Sequence, residues 1–198
     1  MNSLGIDASS YDGVINWQTT ASRGVSFATI RATWNNKYKD GKYQQNLVDA
    51  QANHINVIPY HWFVPYVDPI AQANWFLAHS DDTGFYRMVD LEDTRTVFAY
   101  HGIGKEILKF LETFHSVTNQ DCALYTSPAY IKAYLYDCIE LVNYPLLIAH
   151  WDAAAPLVPR PFIPNNWLAW QFTAKANAPY YGIGECKQAS LYVWNGAI

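Results

Sequence analysis

The sequence predicts an α/β fold, an irregular TIM-like barrel of about (β/α)5(β)3 layout. Three observations carry that expectation. Eight short β-prone runs are spread along 198 residues, stretches of helical period separate the earlier ones, and the alternation stops after the sixth run, where proline-rich loops follow. Alternating strands and helices imply a parallel sheet, and eight strands suggest closure into a barrel. The rival arrangement is an open doubly wound sheet. It needs a glycine-rich phosphate loop after the first strand, and GIDASSYDG (5–13) is not GxGxxG.

The eight runs are SLGIDAS (3–9), SFATIRA (26–32), INVIPYHW (55–62), YRMVDLE (86–92), CALYT (122–126), PLLIAHW (145–151), WLAWQF (167–172) and ASLYVW (189–194). Each is short and rich in β-branched, aromatic or other apolar residues, with turn formers nearby. A short turn of helix is expected near Trp17 to Ser22, and a helix over GKYQQNLVDAQANH (41–54). DPIAQANWFLAHS (68–80) starts with Asp68 as N-cap and Pro69 at the first helical position, and groups Ile70, Ala73, Phe76 and Leu77. GIGKEILKFLETFHSVT (102–118) places Ile103, Ile107, Leu108, Leu111 and Phe114 on one face. SPAYIKAYL (127–135) reads as a helix capped by Ser127. Beyond the sixth run, DAAAPLVPRPFIPNN (152–166) has four prolines and cannot hold a regular helix, and TAKANAPYYGIGECKQ (173–188) is similarly loop-like.

Composition narrows the function. With 51% hydrophobic and 15% charged residues the chain is globular, not disordered. A net charge of -4 gives no reason to expect nucleic acid or a membrane surface as partner. No apolar run approaches the ~18 residues that span a bilayer. Cys122, Cys138 and Cys186 lack CxxC spacing and read as free thiols, with a Cys122–Cys138 bridge as the alternative. His54, His61, His79, His101, His115 and His150 are scattered without metal-ligand spacing, so no metal and no cofactor is expected. Aromatic residues make up 16% of the chain, enough both to fill a core and to line a groove with flat apolar surfaces.

Against this low charge, RMVDLEDTR (87–95) concentrates three carboxylates, Asp90, Glu92 and Asp93. On a strand, residues i and i+2 share a face, about 6.6 Å apart. Asp90 and Glu92 therefore point together and Asp93 turns away. Both lie at the end of their strand, where a barrel keeps its active site, and Asp7 ends the first strand in the same way. Gathering like charges is unfavourable unless some stay protonated or are well hydrogen-bonded. Paired carboxylates at such spacing are the equipment of glycoside hydrolysis. The bland alternative is an ion-paired cluster with Arg31, Arg87 or Arg95.

Six segments, in order, give a resemblance: GIDASSYDGVINW (5–17), VIPYHWFVP (57–65), MVDLED (88–93), LYTSPAYI (124–131), LLIAHWDAAAP (146–156) and WLAWQFT (167–173). Together they resemble glycoside hydrolase family 25, the Chalaropsis-type lysozymes, which includes many phage endolysins. Length and the lack of a dividing linker lead to the expectation of a single catalytic barrel domain over residues 1–198, and the resemblance implies a barrel of five helices and eight strands. It also implies N-acetylmuramidase activity on bacterial cell-wall peptidoglycan, with retention of anomeric configuration. By motif match Glu92 would be the general acid/base, Asp90 would orient and stabilise the positively charged intermediate, and Asp7 would set the local field or position water. The DxE pair resembles a substrate-assisted arrangement. Tyr60, Trp62, Tyr125, Trp151 and Gln171 match strand-end positions facing the sugar, whereas His61 and Trp170 read as packed residues. Asp152 is either a rim contact or a cap.

Two departures stand out. RATWN (31–35) replaces a KATEG-like pattern, putting Trp34 where an acid is usual and extending the apolar part of the groove. Ser190, in ASLYVW, aligns with a family aspartate. Two further readings remain at this stage: a silent barrel that only binds glycan, and a hydrolase of another N-acetylated polysaccharide such as chitin. MNSLGIDASS shows no signal peptide. Expected settings are therefore a host cytoplasm followed by release to the wall, a virion, or secretion after loss of a leader. Wall targeting is expected from the groove, a missing wall-binding domain or an assembly partner.

Overall fold

A computed structural model describes residues 3–94 and 102–196. All eight expected runs form strands. β1 (Leu4–Ala8) leads through a 3-10 turn and α1 (Trp17–Ser22) into β2 (Val25–Trp34), β3 (Tyr38–Lys39), α2 (Tyr43–Ala52) and β4 (Asn56–Trp62). Then come α3 (Pro69–His79), β5 (Met88–Leu91), α4 (Ile103–Thr118), β6 (Ala123–Thr126) and α5 (Pro128–Tyr130), which runs on as a π-helical turn over Ile131–Leu135. β7 (Leu146–Ala149), β8 (Ala169–Asn177) and β9 (Gln188–Trp194) complete the sheet. Its order is β1-β9-β8-β7-β6-β5-β4-β2, and pairing of β1 with β2 closes the barrel.

Three details go beyond expectation. β3 is an extra two-residue strand, folded back on the end of β2 through Trp34 opposite Tyr38. β9 is antiparallel to both β8 and β1, a direction that the loop-joined end of the chain, beyond the strand–helix alternation, leaves open in the sequence. The connection over 178–187 is too short for a parallel crossover, which needs a dozen or more residues. The stretch from 173 is also not all loop, because β8 continues to Asn177 and pairs with β9 as far as Gln188.

Strand alternation divides the core in two. Phe27, Ile58, Tyr60, Met88, Leu147, Tyr192 and Trp194 fill the barrel interior. Ala28, Ile30, Val89, Leu91 and Ile148, out of phase with these, pack outward against the helices. The interior is crowded enough to require glycine at position 5, where a Cβ would sit 2.2 Å from the Phe27 ring. α4 buries Ile103, Ile107, Leu111 and Phe114 as its spacing predicts, adds Phe110, and leaves Leu108 half-buried.

α3 starts as expected, with Asp68 accepting from the Ile70 N–H at 2.9 Å ahead of Pro69. Ala73 and Phe76 are buried, but Ile70 is exposed and Gln72 is buried in its place. The polar residue wins because it is saturated. Its amide holds the Val64 and Val67 carbonyls, each at 3.1 Å, and its oxygen accepts the Val64 N–H at 2.8 Å and meets His61 Nε2 at 3.2 Å. Ser127 caps α5 by accepting from the Tyr130 N–H. All three cysteines are free. Among the described residues no helix is long and apolar enough to cross a membrane.

Candidate active site

The C-terminal ends of the parallel strands open onto a cavity of about 380 Å³. Asp7 enters it from β1, Arg31 from β2, Tyr60 and Trp62 from β4, Asp90 from β5 and Tyr125 from β6. Glu92 follows β5 directly, Trp151 follows β7, and Gln171 comes from β8. β9 runs the opposite way, so Ser190 near its start reaches the same rim. The placement follows from strand period. In β5, Met88 and Asp90 point inward while Val89 and Leu91 pack against helices. Asp93 is buried and does not line the cavity, in keeping with its opposite phase.

Burial sets the charge state of the three acids. Asp90 is buried, and its Oδ1 has no hydrogen-bond partner among the described residues. Desolvation, then the charge of Glu92 and then that of Asp7, push its pKa well above the ordinary carboxylate range. Glu92 stands out into the groove, yet the walls hold back enough water to raise its pKa, and Asp93 adds a like charge. Asp7 is pushed up to about 7, chiefly by desolvation. A 2.5 Å bond from the Thr29 hydroxyl opposes that rise, while the charges of Asp12 and Glu92 reinforce it.

A one-way chain of donors supports Asp7. Trp151 Nε1 at 2.7 Å and the Tyr125 hydroxyl at 3.0 Å both donate to Gln171 Oε1. Gln171 Nε2 donates to the Tyr192 hydroxyl at 2.8 Å. Thr29 Oγ1 lies 3.4 Å from that hydroxyl and 2.5 Å from Asp7 Oδ1. Thr29 has one hydroxyl proton and gives it to the carboxylate, so Tyr192 is the donor in the longer contact. Every bond thus points toward Asp7. Thr29 and Tyr192 went unrecognised in the sequence, although the pairing of Asp7 with Thr29 on β2 is the signal that could have found Thr29.

The ion-paired alternative does not describe this cluster. Arg31 is committed to Asp40, with its amino group at 2.8 Å and Nε at 2.9 Å, and also donates to Ser10 Oγ. Its guanidinium lies over the rings of Tyr11 and Trp34. Arg87 lies over Phe114 and reaches Gln120. Arg95 and His101 lie outside the described residues. Among the described residues Asp7, Asp90 and Glu92 have no ion-pair partner.

Tyr60, Trp62, Tyr125, Trp151 and Gln171 all line the acid-bearing cavity. Trp34 lines an adjoining recess with Tyr11, Arg31 and Trp62, and stacks on Tyr38 of the unforeseen β3 with centroids 4.8 Å apart. Trp170 is half-buried and donates to the His150 carbonyl. His61 is buried away from the groove against Thr33 Oγ1 at 2.7 Å, and burial lowers its pKa to about 3, so it is neutral. Asp152 pairs with Lys175 at 2.9 Å on the exposed surface and does not line the cavity. Among the described residues no cluster of His, Cys, Asp or Glu is grouped to hold a metal ion.

Asp7 carries a stability consequence. Its pKa is higher folded than unfolded, so the native state binds the proton more tightly. Its contribution is complete below the ordinary carboxylate pKa and is lost as pH rises toward about 7. Asp7→Asn should therefore be more stable than wild type near pH 8, by on the order of 2 kcal/mol once solvent access from the groove is discounted, and should melt at a higher temperature there. The gap should close toward about pH 4. Equal melting curves at both pH values would refute the burial argument.

The model of the family described as Glycosyl hydrolases family 25 matches residues 6–180. The chain is 29% identical to Lysozyme M1 of Streptomyces globisporus over 86% of its length, and spans 61% of that protein. It is 28% identical to an N,O-diacetylmuramidase of Chalaropsis sp, covering 90% of each chain. In structure it resembles the bacterial lysozyme from Streptomyces coelicolor, with a TM-score of 0.86 and 26% identity over 100% of this chain and 94% of that one.

Proposed function

This chain belongs to glycosyl hydrolase family 25, and on that premise we propose that it is a peptidoglycan hydrolase, an N-acetylmuramidase cutting the β-1,4 bond between N-acetylmuramic acid and N-acetylglucosamine. One observation carries the reading: three carboxylates with raised pKa values converge on one aromatic-walled groove. Burial raises both Asp90 and Glu92, and the charge of Glu92 adds to the rise at Asp90, which favours a protonated carboxyl at the site.

In the proposed reaction the Glu92 carboxyl gives its proton to the glycosidic oxygen as the C1–O bond breaks. Positive charge then grows at C1. The buried Asp90 carboxylate, left with an unpartnered oxygen, is placed to stabilise it or to orient the substrate's acetamido group as internal nucleophile. Glu92, now a carboxylate, takes a proton from the incoming water. Opening by the acetamido oxygen and then by water gives two inversions, hence retention. The spacing of the DxE pair supports this substrate-assisted route. Asp7, held by Thr29, sets the field beneath the pair. Tyr60, Trp62, Tyr125, Trp151 and Trp34 offer stacking surfaces to the sugar faces, and Gln171 fixes Trp151. Service as a phage or virion-borne lysin belongs to the same proposal and rests on the family resemblance. A single catalytic domain over 1–198 is also part of it, and rests on length and the lack of a dividing linker.

The test is clearing of purified bacterial wall suspensions with release of reducing ends, chitin serving as the comparison polymer. Equal or better activity on chitin, or no activity on walls of several chemotypes, would sink the muramidase reading. Ser190 supplies a finer prediction. Ser190→Asp adds a fourth acid to the rim and should raise the pKa of the neighbouring acids. The alkaline limb of the pH–activity profile should move up by about 0.5–1 pH unit. An unchanged limb would show that position 190 is electrically remote from the pair.

A further inference from the structure

Among the described residues lining the acid cavity, Arg31 is the one cation. On β2 it stands two residues beyond Thr29, which pairs with Asp7 in the neighbouring strand. Residues i and i+2 share a strand face, and neighbouring strands lie about 4.8 Å apart, so a free guanidinium has the reach to meet Asp7. It is not free. Asp40, in the link from β3 to α2, accepts from Arg31 Nε at 2.9 Å and from its amino group at 2.8 Å, both on Oδ2. The same oxygen accepts the Ser10 N–H at 3.0 Å, and Oδ1 accepts the Lys42 N–H at 3.0 Å. The Asp40 carboxylate is fully buried and lines a separate recess of about 530 Å³, not the acid cavity. A buried ion pair adds little net stability, because desolvation offsets the attraction. Stability alone is therefore a weak reason for so complete a clamp beside three acids.

We propose that Asp40 is a positioning residue: it holds Arg31 off the catalytic carboxylates, so that the site keeps the proton Glu92 must donate. This deepens the proposed function and rests on the reading of Glu92 as the acid. A guanidinium set directly against Asp7, Asp90 or Glu92 would favour their charged forms. Even held as it is, Arg31 opposes the rise at Asp7 and at Asp90. Besides Asp40, the titratable groups facing Arg31 are Tyr11, from the turn after β1, and Tyr60 of β4. Those facing the three acids are Asp12, Asp93 and the hydroxyls of Tyr60, Tyr125, Tyr130 and Tyr192. None of these groups carries positive charge, so the placement of Arg31 decides how far the acids are neutralised. Ser10 Oγ at 3.2 Å and the rings of Tyr11 and Trp34 complete its seat, but only Asp40 opposes its charge with a full negative one.

Asp40→Asn removes the charge, keeps the shape and releases the guanidinium toward the acids. The alkaline limb of the pH–activity profile should fall by about 1 pH unit. The double variant Arg31→Met/Asp40→Asn has no cation to release, and its limb should stand at or above that of wild type. A merely structural Asp40 would lower kcat or the melting temperature and leave the limb in place. Asp40→Ser, which keeps an acceptor for the Lys42 N–H in less volume, replaces Asp40→Asn if a thermal melt shows that the asparagine variant does not fold, and the same fall is expected of it. Carbon-13 NMR titration of the Asp7 carboxyl reads the clamp without turnover, so it decides this proposal even if the wild type cuts no wall. The expected result is a lower Asp7 pKa in Asp40→Asn that recovers in the double variant. An unmoved limb with an unmoved Asp7 titration in the folded single variant, or an equal fall in the double variant, would overturn the proposal and leave the muramidase reading intact.

Discussion

Glu92→Gln should all but abolish wall clearing, lowering kcat by about 10²–10⁴, the range that a positioned general acid supplies. The amide keeps the size of the side chain and cannot release a proton to the glycosidic oxygen. Glu92 stands out into the groove and has no ion pair among the described residues, so the fold should not depend on its charge. Loss of activity is therefore expected with a melting temperature at or slightly above that of wild type, because one like charge beside Asp90 is gone. Turbidity assays and a thermal melt on the same preparation separate the two effects. Near-wild-type clearing by this variant would end the assignment of Glu92 as acid.

Asp90→Asn should be nearly as damaging, with kcat down about 10²–10³ through loss of an anion at the developing positive charge. The same substitution should stabilise the fold at neutral pH. Asp90 is buried with an unpartnered oxygen, and its folded pKa is far above the ordinary value, so the stability associated with its protonated form is lost as pH rises. A neutral amide removes that loss. The variant should thus be less active and more stable, whereas a residue kept for structure would lose both together. Denaturant melts near pH 7 and near pH 4 check the sign, since the gain should be large at the first and small at the second.

Much of this architecture was legible because it rests on periodicity. All eight barrel strands were visible as short apolar runs, and α4 was visible in its 3.6-residue spacing. The pairing of Asp90 with Glu92 on one face follows from the period of two in β5, which the cavity lining matches. What escaped depended on partners distant in sequence. Gln72 displaced Ile70 from the buried face of α3 because the loop at Val64–Val67 needed its amide. The reversal of β9 came from the length of its connection, which residue type does not encode. Thr29 and Tyr192 joined the site only through a hydrogen-bond chain spanning β1, β2, β8 and β9. Trp34 was recognised, but its support by Tyr38 depended on a two-residue strand too short to leave a pattern.

The family resemblance and the bare residues also made separate contributions. Residue spacing alone led to a carboxylate pair at the rim of a barrel. The roles of Asp7, Asp90 and Glu92, and the choice of peptidoglycan over other N-acetylated glycans, came from motif order. The most direct test of the central proposal is the identity of the sugar at the new reducing end. Peptidoglycan digested with the wild-type protein, reduced with borohydride and analysed by mass spectrometry should yield fragments ending in reduced N-acetylmuramic acid. Fragments ending in reduced N-acetylglucosamine would contradict it.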